Sequence, residues 1–124
     1  MPGTIVIGDT KNVPFAINET DTLAGTSQEI LAPFNGFVNA IYVITQKAVT
    51  TGGTVKVAIG TTDVVGATVT VPDASAKGAI LSGNATKPSS TRAVTKGQRV
   101  QVIPDAAFAT AGAVNGFVEF TSAQ

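Results

Sequence analysis

The chain has 124 residues, and its eight basic and eight acidic side chains cancel to a formal net charge of zero at pH 7. It contains no histidine, cysteine or tryptophan, which excludes disulfides, thiolate zinc sites and catalysis through imidazole. Charged residues make up only 13% of the chain, so neither nucleic acid nor an anionic membrane surface is expected as a partner.

The N-terminal 22 residues are predicted to form an arm or an edge strand, followed by one sandwich domain over residues 23–124. The arm has a short apolar run at Ile5, Val6 and Ile7, and then a mixed stretch that includes Phe15. This pattern is compatible with an arm that packs on its own domain and with one that reaches a neighbouring molecule.

Residues 37–45 form a run that is apolar at nearly every position, which predicts a strand buried on both faces. The alternation places Val38, Ala40, Tyr42 and Ile44 on one face, and Phe37, Ile41 and Val43 on the other. Two explanations stay open for this second buried face. Either a loop or the N-terminal segment covers it, or it is an interface between subunits.

Four later segments alternate apolar and polar residues, which predicts antiparallel strands with one face buried and one in water. Gly60 and Gly97 lie in the turns that such strands require, because glycine tolerates positive φ. The four segments are residues 54–59, 67–71, 99–102 and 114–120.

The stretch from Pro72 to Thr91 is predicted to be one long connection, with Asp73 capping about two turns of helix that begins at Ala74. A long crossing segment is typical of Greek-key and jelly-roll paths, whereas an up-and-down barrel uses short hairpins. We therefore expect an all-β fold, an antiparallel β-sandwich of jelly-roll-like topology with an N-terminal arm.

The carboxylates are the remaining candidates for acid and base chemistry, but their positions do not indicate an active site. Asp63, Asp73 and Asp105 lie beside predicted turns, where aspartate side chains accept hydrogen bonds from nearby backbone amides. No glycine-rich phosphate loop and no calcium loop is present. We expect no catalytic residues, no metal and no cofactor, and hence a protein that is not an enzyme.

Three segments resemble the small head decoration, or cement, proteins of tailed bacteriophages, which are single β-sandwich domains. They are residues 53–60, 71–78 and 94–102, and the resemblance extends over residues 23–121. It implies a structural protein on the outer capsid surface of a virion, made in the cytoplasm of a host bacterium. Its partner would be the major capsid protein, whose neighbouring subunits it would clamp.

On this reading the apolar contacts to the capsid or to other subunits are expected at Ile5, Ile7, Phe15, Phe34 and Phe37. The resemblance also implies a homotrimer, or alternatively a homodimer, that matches the symmetry of a lattice site. Deleting residues 1–20 is expected to abolish capsid binding and leave the sandwich folded. The alternative function is a receptor- or glycan-binding domain of a phage fibre or spike, acting through exposed loops.

Overall fold

The computed structural model describes residues 10–18, 25–49, 51–86, 89–104 and 113–122, which form two antiparallel sheets packed face to face. Nine strands and a single turn of helix follow one another along the chain. They are β1 (Thr10–Ile17), β2 (Gln28–Leu31), β3 (Gly36–Thr45), β4 (Gly53–Ile59), β5 (Thr62–Val71), β6 (Ile80–Asn84), α1 (Ser89–Arg92), β7 (Ala93–Val94), β8 (Arg99–Pro104) and β9 (Val114–Ser122).

The strand order is that of a jelly roll. One sheet has the order β1-β9-β3-β6, with the short β7 also paired to β3, and the other has the order β2-β8-β4-β5. The first strand, β1, therefore pairs with the last, β9, in one sheet. In the other sheet, the second strand, β2, pairs with the last but one, β8. This nesting of early strands with late ones confirms the predicted antiparallel, jelly-roll-like sandwich.

The core lies between the sheets and consists of side chains that alternate inward along each strand. Val55, Val57 and Ile59 of β4 are buried, as the alternation predicts, and Val114, Val118 and Phe120 of β9 face them from the other sheet. Gly60 and Gly97 take positive φ in turns, as expected. Phe15 and Ile17 belong to the same core, so β1 is an integral edge strand.

A bulge in β3 changes which residues face the core. Its pairing with β9 shifts between Val38 and Ala40, so Val38 lies on the same side as Ile41 and Val43. The prediction that Val38 shares a face with Tyr42 and Ile44 was therefore wrong. The strand is buried on one face and half-buried on the other.

The predicted connection between Pro72 and Thr91 is not a single loop, because it contains strand β6. The predicted helix at Ala74 is also absent: residues 73–78 form turns, and Ala74 has a φ of 62°, which a helix does not allow. The Asp73 carboxylate does not cap a helix either. Its Oδ1 accepts a hydrogen bond from the backbone N–H of Gly52 at 2.8 Å.

Thr45, at the end of β3, anchors this turn region through two hydrogen bonds of its side chain. Its buried hydroxyl donates to the Ala76 carbonyl at 2.8 Å and accepts from the Ala79 N–H at 2.9 Å. Thr45→Val keeps the shape of the side chain but removes both of these hydrogen bonds, so we expect the free energy of unfolding to fall by about 2 kcal/mol in urea denaturation. Thr70→Val, at an exposed position of β5, is the control and should change it by less than about 0.5 kcal/mol.

In the described ranges of the chain no helix has the length and apolar character needed to cross a membrane.

Candidate functional site

The outer surface of the β1-β9-β3-β6 sheet, here called the aromatic face, divides into an apolar half and a polar half. The strand register brings its side chains into rows across the sheet, because partners on neighbouring antiparallel strands lie side by side. The apolar half comprises Pro14, Ala16, Tyr42, Ile44, Ile80 and Phe117, and it is interrupted by the exposed polar residues Ser82 and Asn115. The polar half comprises Asn12, Asn39, Asn84, Glu119 and Thr121.

Tyr42 and Phe117 form a stacked pair at the centre of the apolar half. They are register partners on β3 and β9, and their ring centroids lie 4.8 Å apart with 29° between the ring planes. This separation equals the spacing of neighbouring strands, and two rings lying flat on the sheet would collide at that distance. The rings therefore stand up from the sheet and present their edges outward.

A shallow apolar groove of about 340 Å³ lies beside this pair, lined by Tyr42, Val43, Ile44, Ile80, Gly116 and Phe117. Ile80 protrudes at one side of the groove, with 76% of its surface exposed. Gly116 lines the other side of the groove on β9, where the backbone of β3 approaches so closely that a Cβ would overlap the Tyr42 carbonyl oxygen. Across β3 from Ile80, the register places the exposed Asn115 of β9, since both residues are partners of Ile44.

The outer surface of the β2-β8-β4-β5 sheet, here called the charged face, has the opposite character. Lys56 Nζ lies 3.0 Å from Asp63 Oδ2, and Arg99 Nη1 lies 3.7 Å from Glu29 Oε1. Exposed ion pairs of this kind add little stability, but they keep a surface hydrated. The charged face is therefore suited to exposure to solvent, and the aromatic face is better suited to contact with another molecule.

One end of the sandwich, here called the arm end, carries the β2–β3 loop, the 95–98 turn and the start of β1. Phe34 is half-buried against the core, and Phe37 is half-buried with the Arg92 guanidinium 5.5 Å from its ring centre. The Lys96 N–H donates to Asn35 Oδ1 at 2.8 Å, which fixes the turn beside the β2–β3 loop. Aromatic and basic side chains therefore lie together at this end.

The five residues predicted to make contacts have different positions in the structure. Ile5 and Ile7 lie outside the described residues. Phe34 and Phe37 come together with the start of β1 at the arm end, since Thr10 and Phe37 both pair with Thr121. Phe15, however, is only 6% exposed and belongs to the core, so it offers almost no surface to a partner.

The position of Phe15 also changes the expected result of an N-terminal deletion. Removing residues 1–20 would take away all of β1, including the core residues Phe15 and Ile17. The expectation that the sandwich stays folded after this deletion is inconsistent with the structure. A truncation that spares the core has to end before Thr10.

The residue patterns of the sequence do not indicate the apolar half of the aromatic face. Tyr42, Ile80 and Phe117 lie far apart in the sequence, and only the strand pairing brings them together. The available signal was the doubly apolar run at residues 37–45. In the part of the chain that the structure describes, no three acidic side chains lie close enough together to hold a metal ion.

No protein-family model matches the chain, and no curated protein matches it significantly. Among solved structures, the chain is similar to CsCBM6-3 from Clostridium stercorarium, determined in complex with cellobiose. The TM-score is 0.46 and the identity 16%, covering 95% of this chain and 88% of that chain.

Proposed function

We propose that the protein is a non-enzymatic decoration protein that binds the outer surface of a tailed-phage head and clamps neighbouring major capsid protein subunits. The observation that carries this proposal is the arm end, where Phe34 and Phe37 lie among basic side chains. A rigid domain with one adhesive end is what such a clamp requires. The resemblance of residues 53–60, 71–78 and 94–102 to decoration proteins adds support.

The arm end has the chemistry to recognise an apolar surface that is bordered by carboxylates. Arg92 lies over Phe37, and Lys96 is exposed on the turn next to Asn35. Lys11 is exposed near the start of β1. Aromatic anchors provide contact area, and the surrounding cations steer an acidic partner into place and set the orientation.

Binding of this kind stabilises a shell by mass action. A protein that binds only correctly placed neighbours favours the assembled state over the dissociated one, and each occupied site adds to that effect. The jelly roll supplies the stiffness, because its core is continuous from β1 to β9. A soft domain would lose much of the binding energy to ordering.

The alternative, a glycan-binding domain, has weaker support in the geometry of the aromatic rings. Sugars stack on open ring faces, but Tyr42 and Phe117 each cover one face of the other ring and present their edges outward. Phe37 has the Arg92 guanidinium over its ring. Edges of this kind pack better against aliphatic protein side chains than against a pyranose ring.

Co-sedimentation with empty heads of the phage that encodes the chain tests the proposal. We expect Lys96→Glu to weaken binding at least tenfold, because it places a carboxylate in a basic contact. Lys77→Glu is the matched control, since Lys77 is also exposed but lies on the turn region at the opposite end. Mass spectrometry of purified virions should find the chain in many copies per particle.

Two results would overturn the proposal. One is absence of the chain from purified virions together with no binding to empty heads. The other is saturable binding to host cells or to a glycan array that Lys96→Glu leaves unchanged, which would favour the alternative. Deleting residues 1–8 then tests the predicted contribution of Ile5 and Ile7, with thermal unfolding as the check that the core persists.

A further inference from the structure

We infer that Arg92 is the residue of the arm end that binds a carboxylate of the partner molecule. This inference deepens the proposed function and rests on it, because the partner is taken to be a capsid subunit with an acidic side chain at the contact. The starting observation is that the Arg92 guanidinium lies 5.5 Å from the centre of the Phe37 ring and forms no ion pair with a described carboxylate.

The pairing of β7 with β3 fixes Arg92 beside Phe37. Arg92 is the last residue of α1, and the next residue, Ala93, is the register partner of Phe37. The backbone of Arg92 is therefore held one position away from the ring that its side chain covers. A guanidinium over an aromatic ring is favourable, because the ring face carries partial negative charge. Sheet pairing and ring contact together hold the positive charge in one place.

The Nε group of Arg92 is buried and has no hydrogen-bond partner. Burying an N–H group without an acceptor destabilises a fold, whereas a methionine would cover the Phe37 ring without burying a donor. The packing around Phe37 therefore does not require a guanidinium. A charged group that costs stability and is not needed for packing is typical of a residue that serves binding.

The end of the Arg92 guanidinium is the part that a partner can reach. Arg92 is half-buried, and no described residue forms an ion pair or a hydrogen bond with its two Nη groups. Because the Nε edge is buried, a ligand has to approach the two Nη groups end-on. One N–H of each Nη group points outward in parallel, and the two oxygens of a single carboxylate accept both hydrogen bonds.

The acidic side chains of the described residues do not neutralise Arg92. Glu29 and Asp63 lie beside other cations on the charged face, and Asp73 accepts a backbone hydrogen bond in the turn region at the opposite end. Glu119, on β9, forms no ion pair with Arg92 either. The positive charge at the arm end is therefore available to a carboxylate from another molecule.

Arg92 and Lys96 are expected to contribute to binding in different ways. Lys96 is exposed on a turn, so its charge acts through solvent and attracts an acidic partner from a distance. Arg92 is half-buried and held on Phe37, so its charge acts at the contact itself. We therefore expect Lys96→Glu to slow association with the partner, and Arg92→Met to speed dissociation.

Nuclear magnetic resonance of the arginine side chains tests carboxylate binding without a capsid. The chain has two arginines, Arg92 and Arg99, so the spectrum contains two Nε–H signals. We expect glutarate, a dicarboxylate, to shift the Arg92 signal until it saturates, and sodium chloride at the same ionic strength to leave it unchanged. Arg99 is the control, since it is exposed beside Glu29, and its signal should respond equally to both salts.

Co-sedimentation with empty heads tests the same residue in the complex. We expect Arg92→Met to weaken binding at least tenfold and to unfold at a temperature no lower than wild type, because no N–H is left buried without a partner. Arg92→Lys keeps the charge but loses the paired donors, and its affinity should lie between the two. Arg99→Met is the matched control and should bind within about twofold of wild type.

Chemical modification of the heads tests the partner's side of the contact. Amidation of their surface carboxylates with a carbodiimide and an amine removes the acceptor that Arg92 requires. We expect intact amidated heads to bind wild type at least tenfold more weakly than untreated heads. Wild-type affinity for amidated heads would contradict the inference directly.

Three other results would also reject the assignment of Arg92. They are a response of its Nε–H signal to glutarate no larger than to sodium chloride, unchanged head binding by Arg92→Met, and a lower unfolding temperature of Arg92→Met, which would show a structural role. Absence of wild-type binding to heads is a separate failure, that of the proposed function. The glutarate titration then decides by itself whether Arg92 binds carboxylates.

Discussion

Phe120→Ala is expected to lower the free energy of unfolding by about 3–5 kcal/mol, the usual cost of deleting a fully buried aromatic side chain. Phe120 has no exposed surface and is the largest of the fully buried side chains. It lies on β9, between β1 and β3, so its loss leaves a cavity where three strands meet the opposite sheet. Since a domain of this size is stable by only about 5–15 kcal/mol, a large share of the stability would be lost.

The control for this experiment is Phe117→Ala, on the same strand but on the aromatic face. Phe117 is half-buried and stacks on Tyr42, so the truncation leaves no closed cavity. We expect a loss of about 1 kcal/mol, from the stacking and the partial burial. Urea denaturation of both variants measures the difference. Equal losses would show that Phe120 does not occupy the core.

The strands that were predicted correctly are those in which apolar and polar residues alternate. In residues 54–59 and 99–102 the larger apolar side chains lie on one face only, and burial follows the alternation except at Ala58, which is buried beside a register shift in β4. In β3 the residues on both faces of the strand are apolar, so the sequence does not indicate which face points into the core. The bulge at Asn39 then decides the facing of the strand, and a bulge leaves no mark on composition.

Two strands have sequences that argue against strand formation. Strand β6 contains Ser82, Gly83 and Asn84, residues that are depleted in strands, and β1 contains Pro14. Both are edge strands of one sheet, where pairing with a single partner is sufficient. Their conformation is set by tertiary contacts with β3, β5 and β9, which local propensity cannot report.

The two candidate surfaces also differ in how far the sequence predicts them. Phe34 and Phe37 could be proposed from the sequence because they flank the start of a conspicuous apolar strand. The stacking of Tyr42 on Phe117 depends on the register between β3 and β9, and the groove also depends on β6, which the sequence did not indicate. Long-range pairing therefore determines the aromatic face, whereas local patterns were sufficient only for the core positions of the alternating strands.

Gly83→Ala is the second large effect that we expect, although it adds only one methyl group. Gly83 is buried on β6, where the strand approaches β5 of the other sheet. A Cβ at this position would overlap the carbonyl oxygen and the backbone nitrogen of Thr68. Backbone cannot move aside as a flexible side chain can, so β5 and β6 have to separate. We expect a loss of about 2–3 kcal/mol from this overpacking.

The entropy of the unfolded chain acts in the opposite direction, since replacing glycine by alanine reduces it and stabilises a protein by about 0.4–1 kcal/mol. That gain is too small to offset the clash. Ser82→Ala is the matched control, because Ser82 is exposed on the same strand, and it should stay within about 0.5 kcal/mol of wild type. A Gly83→Ala variant as stable as Ser82→Ala in urea would contradict the close contact of β5 and β6. The hydrogen bond from the Thr86 N–H to the Val65 carbonyl, at 2.9 Å, would then hold β5 near the end of β6 without a tight backbone contact at Gly83.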